Sequence, residues 1–241
     1  YAPHVARYLT ETTRLPVIIL SDYMTSVSYR VFDRLQQSDY DKNNRLDSFI
    51  LDRFYLNELP EIEMVKGNQS EPGVPEKMRR VTGLNTNEAG FVEYTSESNH
   101  RSHVIRNNKV HAVREALRPP EQFGDTSGDV LIVGWGSSRG AIEESVQVLQ
   151  EKGHSVSGLH FKIVYPLPTG LKDIFKKFKK VVTVETAYGD VQKATPFAMM
   201  LRSETLCDVQ CLISDATGRP LKPAHVVQKV ENVLQQEGVH V

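Results

Sequence analysis

The residues between Asp129 and Ile142 hold the pattern in this chain that is most suggestive of chemistry. A short apolar run ends at three glycines, Gly134, Gly136 and Gly140, and an amphipathic pattern begins there. This order is typical of a buried parallel strand that turns tightly into a helix. The first free N–H groups of such a helix point out of the turn, where they can bind an anion. The sequence therefore makes this turn a candidate phosphate or carboxylate site.

The spacing of these glycines argues against a dinucleotide site. They read GxGxxxG, whereas the dinucleotide-binding turn reads GxGxxG and is accompanied by an acidic residue at the end of the second strand. The next predicted strand ends in Tyr165, Pro166, Leu167 and Pro168, with no Asp or Glu. A purely structural strand-to-helix turn is the favoured interpretation.

Polar residues beside the turn are the candidate ligands of an anion. Ser137, Ser138 and Arg139 directly follow Gly136 and could hold a phosphate at the start of the helix. Ordinary capping of the helix by a serine is the favoured alternative. Glu185 ends a later predicted strand, at the edge where ligands bind in open α/β sheets. Capping of the following helix, or pairing with a lysine, is the favoured alternative for Glu185.

A second polar group precedes the turn. His100, His103 and Arg106 could form a cluster near the mouth of an active site, together with Glu97. A solvated or subunit-facing surface is the favoured interpretation of these four residues. No Ser-His-Asp set and no His set with metal-ligand spacing is recognisable, so neither a catalytic residue nor a metal ligand is predicted.

The chain has two cysteines, Cys207 and Cys211, and no other cysteine could complete a zinc or iron–sulfur set with them. They are therefore interpreted as small core or near-core residues. Two cysteines fit a reducing cytosol, so a cytoplasmic location is expected. Charge is balanced, with 29 Lys and Arg against 30 Asp and Glu among 241 residues. Neither nucleic acid nor a membrane is expected as a partner.

The C-terminal half alternates predicted strands and helices. Strands are expected at residues 130–133, 158–164, 181–185 and 208–213. The helix after the first strand should end near Gly153, and Thr195 with Pro196 marks another helix start. A further helix is expected to carry an apolar stripe ending in a solvated lysine cluster: Leu171, Ile174, Phe175 and Phe178, then Lys176, Lys177, Lys179 and Lys180. A last helix should span residues 223–236. Such alternation predicts a parallel sheet covered by helices on both faces.

The N-terminal half does not add up to a complete domain. A helix carrying Val5, Tyr8, Leu9 and Thr12 precedes an apolar strand predicted at residues 15–22, and a second helix is expected at 24–36. Residues 38–90 are polar and irregular. A buried parallel strand needs neighbours on both sides, and no other strand is predicted nearby. We therefore expect the first forty residues to complete a sheet whose other strands lie upstream or in a partner subunit.

Four stretches, taken in order, resemble one known family. Residues 12–22 resemble the last strand of its pyrimidine-binding domain. Residues 80–90, followed by Arg106 and Lys109, resemble an inter-domain segment that reads T-G-x-x-H-x-E-x-G and then R-x-x-K. Residues 135–142 resemble a W-G-S-T-x-G-A-I turn, and residues 165–168 with 184–189 resemble W-P-L-P and P-E-x-N-x-G. The family is the α subunit of 2-oxoacid:ferredoxin oxidoreductases, in its 2-oxoglutarate-type branch. Asn85 or Thr86 stands where the family often has His.

The resemblance implies an α/β fold in three parts. Residues 1–40 would be the tail of a thiamine-diphosphate-binding pyrimidine domain, 41–123 an inter-domain segment, and 124–241 a parallel-sheet domain like the C-terminal domain of transketolase. It also implies oxidative decarboxylation of a 2-oxoacid to an acyl-CoA. Thiamine diphosphate, Mg²⁺ and an iron–sulfur cluster would belong to the full complex, with coenzyme A as co-substrate. The implied partners are a β subunit and, through the complex, ferredoxin, in a hetero- or homo-oligomer.

The family's thiamine-contacting glutamate and substrate-binding residues are expected upstream of this chain, so the isolated chain is expected to be inactive and to have a structural and interface role. Gly136, Ser137, Ser138, Arg139 and Glu185 are the candidate cofactor-binding residues. Two alternatives stay open: a free-standing nucleotide- or phosphate-binding regulatory module, and the equivalent domain of a 2-oxoacid dehydrogenase or transketolase.

Overall fold

The computed structural model describes residues 1–29, 31, 48–62, 74–75, 82–189 and 194–237. The described residues divide into two compact units. The first combines those of Tyr1–Ile18 and Gln36–Leu117, and the second those of Ile19–Leu35 and Arg118–Val241. The three-part division at residues 40 and 123 stays a prediction.

A five-stranded sheet forms the centre of the second unit. Its strands are β1 (Gln122–Phe123), β2 (Gly128–Trp135), β3 (Val156–Phe161), β4 (Phe178–Glu185) and β5 (Val209–Ser214). Their order across the sheet is β1-β3-β2-β4-β5. Strand β1 pairs antiparallel with β3, and all the other pairings are parallel. This arrangement confirms the predicted α/β fold with a mostly parallel sheet.

Helices cover both faces of this sheet. In chain order the helices of the two units are α1 (Ala2–Thr13), α2 (Tyr23–Val27), α3 (Ser48–Arg53), α4 (Ser96–Ala116), α5 (Arg139–Glu151), α6 (Leu171–Phe175), α7 (Pro196–Thr205) and α8 (Pro223–Glu237). Apolar residues of α6 and α7 pack on one face of β2 and β3, while those of α5 and α8 pack on the other face of β2 and β4. Because both faces are buried, the middle of β2, Val130–Val133, is a continuous apolar run, and the middle of β4, Val181–Val184, is apolar except for Thr183.

The predicted helix through Phe178 is wrong at its end. Helix α6 ends at Phe175, and Phe178 begins β4, where it belongs to the core. Lys179 and Lys180 therefore lie on a strand rather than at a solvated helix end. The side chains of a strand alternate between its faces, so Phe178 points into the core while Lys179 is exposed and pairs with Asp129 at 2.8 Å.

The strand predicted at residues 15–22, whose neighbours were expected upstream or in a partner subunit, stays a prediction. None of the described residues pairs with it, and it has no regular secondary structure. Its apolar side chains are exposed, and Ile18 keeps 81% of its surface. Helix α1 is confirmed, with Val5, Tyr8 and Leu9 buried, although Thr13 rather than Thr12 completes the buried face. The helix predicted at 24–36 is wrong in length, because α2 ends at Val27 and Ser28 is extended. Residues 30 and 32–36 lie outside the described part of the chain.

The two cysteines differ in their environments, and neither is in a disulfide. Cys207 is partly buried and packs against the core, which agrees with the sequence interpretation. Cys211 is exposed, so the interpretation is wrong for this residue. It lies on β5, the edge strand among those that the structure describes. In the part of the chain that the structure describes, no helix is both long and apolar enough to cross a membrane.

Candidate functional site

The candidate site lies at the carboxyl edge of the sheet in the second unit. Gly134 of β2 is paired with Val184 of β4, so Trp135 and Glu185, one residue further on, end neighbouring strands. Neighbouring strands lie about 4.8 Å apart. The prediction that Glu185 and the glycine turn share one sheet edge is therefore confirmed.

Two of the three glycines have the local role expected of them. Gly136 has a φ of 63°, in the left-handed region that favours glycine. A Cβ on Gly134 would lie 2.4 Å from the side chain of Ile142 and 2.5 Å from that of Ser138, so this glycine lets α5 approach β2. Gly140 is different, because its φ is not positive and a Cβ there would meet nothing within 4 Å. The prediction that Gly140 is needed for the tight turn is wrong.

The turn already holds an anion, and that anion is a side chain of the same unit. Ser137 donates its backbone N–H to Oδ2 of Asp22 at 3.1 Å. The other carboxylate oxygen of Asp22 accepts the N–H of Thr25 at 2.7 Å and so caps α2. Burial raises the pKa of Asp22, but hydrogen bonds from Ser137 and Thr25 outweigh it, and the net pKa is lower than usual. The carboxylate is thus held in its charged form.

The neighbouring polar groups are committed to structural contacts as well. Ser138 is buried and donates its hydroxyl to the carbonyl of Trp135 at 2.8 Å. Arg139 is exposed and pairs with Glu143 at 2.7 Å. As it stands, the turn does not fit a phosphate group, because Asp22 occupies the anion position. A contact of Gly136, Ser137, Ser138 and Arg139 with coenzyme A stays a prediction. The alternative of capping by a serine side chain is wrong. The hydroxyl of Ser138 makes no capping hydrogen bond, and the acceptor at this turn is the carboxylate of Asp22.

Glu185 caps the helix that follows it, which was the favoured interpretation. Its carboxylate is almost fully buried and accepts the hydroxyl of Thr195. It also accepts the backbone N–H groups of Phe197 and Ala198, each at 3.2 Å. These two groups lie in the first turn of α7 and have no carbonyl partner within that helix. Both carboxylate oxygens are thus engaged by α7, and a contact of Glu185 with a cofactor stays a prediction.

His160 is a member of this edge that the sequence analysis missed. It lies on β3 opposite Gly134, and the hydrogen bond of its Nε2 to the carbonyl of Gly136 measures 3.0 Å. A carbonyl only accepts, so Nε2 carries the hydrogen. Nδ1 is enclosed and has no hydrogen-bond partner among the described residues. Burial is the main cause that lowers the pKa of His160 to about 4. The ring is therefore neutral at pH 7. In the sequence, the signal that could have identified His160 as a member of this edge was its position on a predicted strand.

The second polar group of the sequence does not form a cluster. His100, His103, Arg106 and Glu97 are all exposed on α4. Arg106 donates to the side-chain oxygen of Asn85 at 3.0 Å rather than to another member of the group. The exposure of all four agrees with the favoured interpretation as surface. Within the described ranges, no three His, Cys, Asp or Glu side chains are arranged to hold a metal ion.

Known proteins with similar sequences point to one enzyme family, although no protein-family model matches the chain. The 2-oxoglutarate oxidoreductase subunit KorA of Mycobacterium tuberculosis is 28% identical over 164 residues, which are 64% of this chain and 24% of that protein. The 2-oxoacid:ferredoxin oxidoreductase subunit alpha of Saccharolobus solfataricus is 24% identical over 241 residues, which are 95% of this chain and 36% of that protein. The chain thus spans only about a quarter to a third of these relatives.

A solved structure agrees with these sequence matches. The 2-oxoglutarate:ferredoxin oxidoreductase from Magnetococcus marinus, with 2-oxoglutarate, coenzyme A and succinyl-CoA bound, is 27% identical with a TM-score of 0.60. The matched region covers 68% of this chain and 28% of that chain.

This chain resembles the C-terminal part of the α subunit of 2-oxoacid:ferredoxin oxidoreductases. The resemblance stated from the sequence motifs is confirmed. It rests on the order of the motifs, on the sequence matches and on the likeness of the fold.

Proposed function

We propose that this chain is part of the α subunit of a thiamine-diphosphate-dependent 2-oxoacid:ferredoxin oxidoreductase. Such an enzyme decarboxylates a 2-oxoacid and transfers the acyl group to coenzyme A. The observation that carries the proposal is the likeness to the Magnetococcus marinus enzyme, at 27% identity and a TM-score of 0.60 over 68% of the chain. Fold likeness alone says little about chemistry, but here it coincides with sequence matches to α subunits.

Within such an enzyme, the role of this chain would be structural and at an interface. The polar groups at the sheet edge support this role, because Asp22 and Glu185 cap helices instead of facing an open site. Exposed apolar side chains before α2 support it too, since exposed apolar surface is a common feature of interaction sites. Thiamine diphosphate, Mg²⁺ and the iron–sulfur cluster would be bound mostly outside this chain, in the complex with a β subunit that passes electrons to ferredoxin.

Reconstitution with a cluster-bearing β subunit tests the proposal. The chain is tested alone and mixed with that subunit, and each sample receives 2-oxoglutarate, coenzyme A and thiamine diphosphate. The reduction of a ferredoxin-type electron acceptor is then measured by absorbance. We expect no reduction by the chain alone, and co-elution of the two polypeptides in size-exclusion chromatography. Reduction by the chain alone would contradict the structural role. Reduction of NAD⁺ in place of the ferredoxin-type acceptor would favour a 2-oxoacid dehydrogenase.

A pair of variants locates the proposed interface. Ile18→Asn removes an apolar side chain that is 81% exposed, and Leu206→Asn removes another that is equally exposed. Leu206 has a left-handed φ of 55°, which Asn tolerates, so the control variant should fold. We expect Ile18→Asn to weaken co-elution with the β subunit and Leu206→Asn to leave it unchanged. Equal behaviour of the two variants would count against an interface at residue 18.

A further inference from the structure

One peptide group of the glycine turn is bound from both sides. This turn peptide joins Gly136 to Ser137, and both residues belong to the second unit together with His160 and Asp22. Its carbonyl, that of Gly136, accepts the Nε2–H of His160 at 3.0 Å. Its N–H, that of Ser137, donates to Oδ2 of Asp22 at 3.1 Å. Because a peptide group is a rigid plane, it connects a side chain of β3 directly with a side chain beside α2.

The orientation of the turn peptide depends on these partners, because the residue before it is a glycine. Gly136 has no Cβ, so the backbone around it can adopt many conformations at little cost. The peptide that precedes Gly136 is fixed locally, since the hydroxyl of Ser138 donates to the carbonyl of Trp135 at 2.8 Å. The turn peptide is fixed instead by His160, whose ring is buried on β3 and therefore has little freedom to move.

The other side of the turn peptide holds the N-terminal segment, residues 19–27. Helix α2 of this segment lies beside the turn but buries none of its own residues. Three large apolar side chains of the segment expose half or more of their surface: Ile19, Leu20 and Tyr23. Apolar burial therefore contributes little to its docking. The hydrogen bond that Thr25 donates to Asp22 is internal to the segment, whereas the one from Ser137 attaches Asp22 to the turn.

Hydrogen bonds at the two ends of one peptide support each other. A donor at the carbonyl oxygen polarises the peptide, and its N–H becomes a better donor by about 10–30%. Orientation has the larger effect. Without the donor of His160, the turn peptide can rotate about the bonds beside Gly136, and the N–H of Ser137 no longer points at Asp22. The loss of one ordinary hydrogen bond changes an equilibrium constant by about fivefold.

We propose that His160 is a positioning residue for the turn peptide, and that this peptide couples His160 to the docking of the N-terminal segment. With the ring in place, Ser137 binds Asp22 and the segment is docked. Without the donor, the turn peptide rotates, and Asp22 is released with its segment. The coupling is reciprocal, so release of Asp22 also loosens the contact between His160 and Gly136. An event at the exposed side chains of the segment is thereby transmitted to the carboxyl edge of the sheet.

Hydrogen exchange of the Ser137 amide, measured by NMR on the full chain, tests this coupling. His160→Leu removes the donor and keeps an apolar side chain, whereas His160→Gln keeps a donor. We expect the Ser137 amide to exchange about fivefold faster in His160→Leu and at close to the original rate in His160→Gln. The amide of Val133, in the core of β2, is the reference for a general loss of stability.

A control variant makes this comparison specific. His154 is a partly buried histidine of the same unit that lies before β3, so His154→Leu should leave the exchange of the Ser137 amide unchanged. Equal exchange of this amide in His160→Leu and His160→Gln would overturn the proposal. An equal increase in His160→Leu and His154→Leu would overturn it as well.

Asp22→Ala tests the reverse direction, and it decides the question by itself if His160→Leu does not fold. Asp22 is only partly buried, so its replacement should leave the core intact. We expect the Nε2–H of His160 to exchange with solvent about fivefold faster in this variant. Asp215→Ala is the matched control, because Asp215 also accepts a backbone N–H, that of Thr217 at 2.9 Å. An unchanged Nε2–H in Asp22→Ala, or the same change in both variants, would overturn the proposal.

Discussion

The carboxylate of Asp22 accepts a hydrogen bond from the backbone of Ser137, which lies 115 residues later in the chain. It occupies the position that a phosphate takes when a glycine turn at a helix start binds a nucleotide. The same carboxylate also caps α2. One side chain thus stabilises the start of α2 and the 3₁₀ turn Gly136–Ser138 that leads into α5, and the anion-binding capacity of this turn is used within the protein. Glu185 acts in the same way at the start of α7.

Removal of the Asp22 carboxylate should destabilise the second unit. We expect Asp22→Ala to lower the free energy of unfolding by about 1–2 kcal/mol at pH 7, because two helix starts lose their acceptor. Asp22→Asn should lose less, since an amide oxygen can still accept. Urea unfolding followed by circular dichroism measures both variants, and an unchanged midpoint for Asp22→Ala would contradict the capping role.

The effect of Asp22 should also depend on pH. Its pKa in the folded protein is below the ordinary value of 3.8, so its charged form stabilises the fold at any pH above that value. The contribution is lost as the pH falls through the lowered pKa. The difference between the original chain and Asp22→Ala should therefore be constant from pH 7 to about 5 and shrink below pH 3.8. If the stability difference between the original chain and Asp22→Ala grew as the pH fell, it would contradict the lowered pKa of Asp22.

Glu185→Gln should lower the stability of the fold, although it only replaces a charged carboxylate by a neutral amide of the same size. The carboxylate accepts from Thr195, Phe197 and Ala198, and the amide nitrogen of a glutamine would face an N–H group instead of accepting from it. A buried donor left without a partner costs about 1–3 kcal/mol. Glu143→Gln is the control, because Glu143 forms an exposed pair with Arg139, and such pairs contribute about 0–1 kcal/mol. Equal melting temperatures of Glu185→Gln and Glu143→Gln would contradict the role of Glu185 as a cap of α7.

His160 should make the fold weaker in mild acid. Burial holds its pKa near 4 in the folded chain, below the ordinary value of 6.5, so the unfolded chain binds a proton first as the pH falls. Stability should therefore decline between pH 6.5 and about 4, by roughly 3 kcal/mol in all. Arg139 and Lys162 lower this pKa further, and Glu143 raises it.

His160→Gln isolates this effect, because a glutamine cannot titrate and can still donate to the carbonyl of Gly136. We expect a clearly flatter dependence of the urea midpoint on pH for this variant between pH 6.5 and 4. Ring NMR signals of His160 should show a neutral imidazole at pH 5.5. An imidazole that titrates near 6.5 would refute the prediction.

Gly134 and Gly140 should respond in opposite directions to substitution by alanine. Gly134→Ala would place a methyl group 2.4 Å from Ile142 and 2.5 Å from Ser138, and overpacking of this kind costs about 1–3 kcal/mol. Gly140→Ala meets open space within α5, where alanine is favoured over glycine by up to about 1 kcal/mol. Melting temperatures of the two variants should lie on opposite sides of that of the original chain. A stable Gly134→Ala would show that β2 and α5 can separate at little cost.

The local elements of the second unit are largely readable from the sequence. Strands β2 and β4 follow from short apolar runs, α5 from its periodic stripe, and the start of α7 from Thr195 and Pro196. These signals work because burial of both sheet faces and the geometry of a helix start act within a few residues. Phe178 shows their limit. Its spacing fits the stripe of α6, and only the pairing of β4 with β2 decides that it begins a strand.

The sequence by itself determined the family resemblance, the α/β class and the meeting of Glu185 with the glycine turn at one sheet edge, because these depend on the order of motifs and on parallel strand direction. Only the tertiary structure decided which hydrogen bonds the polar side chains make at this sheet edge. No local pattern links Asp22 to Ser137 or His160 to Gly136, since hydrogen bonds between distant residues depend on how the chain folds back on itself. The same holds for Lys109, whose burial on α4 has no signal in the residues beside it.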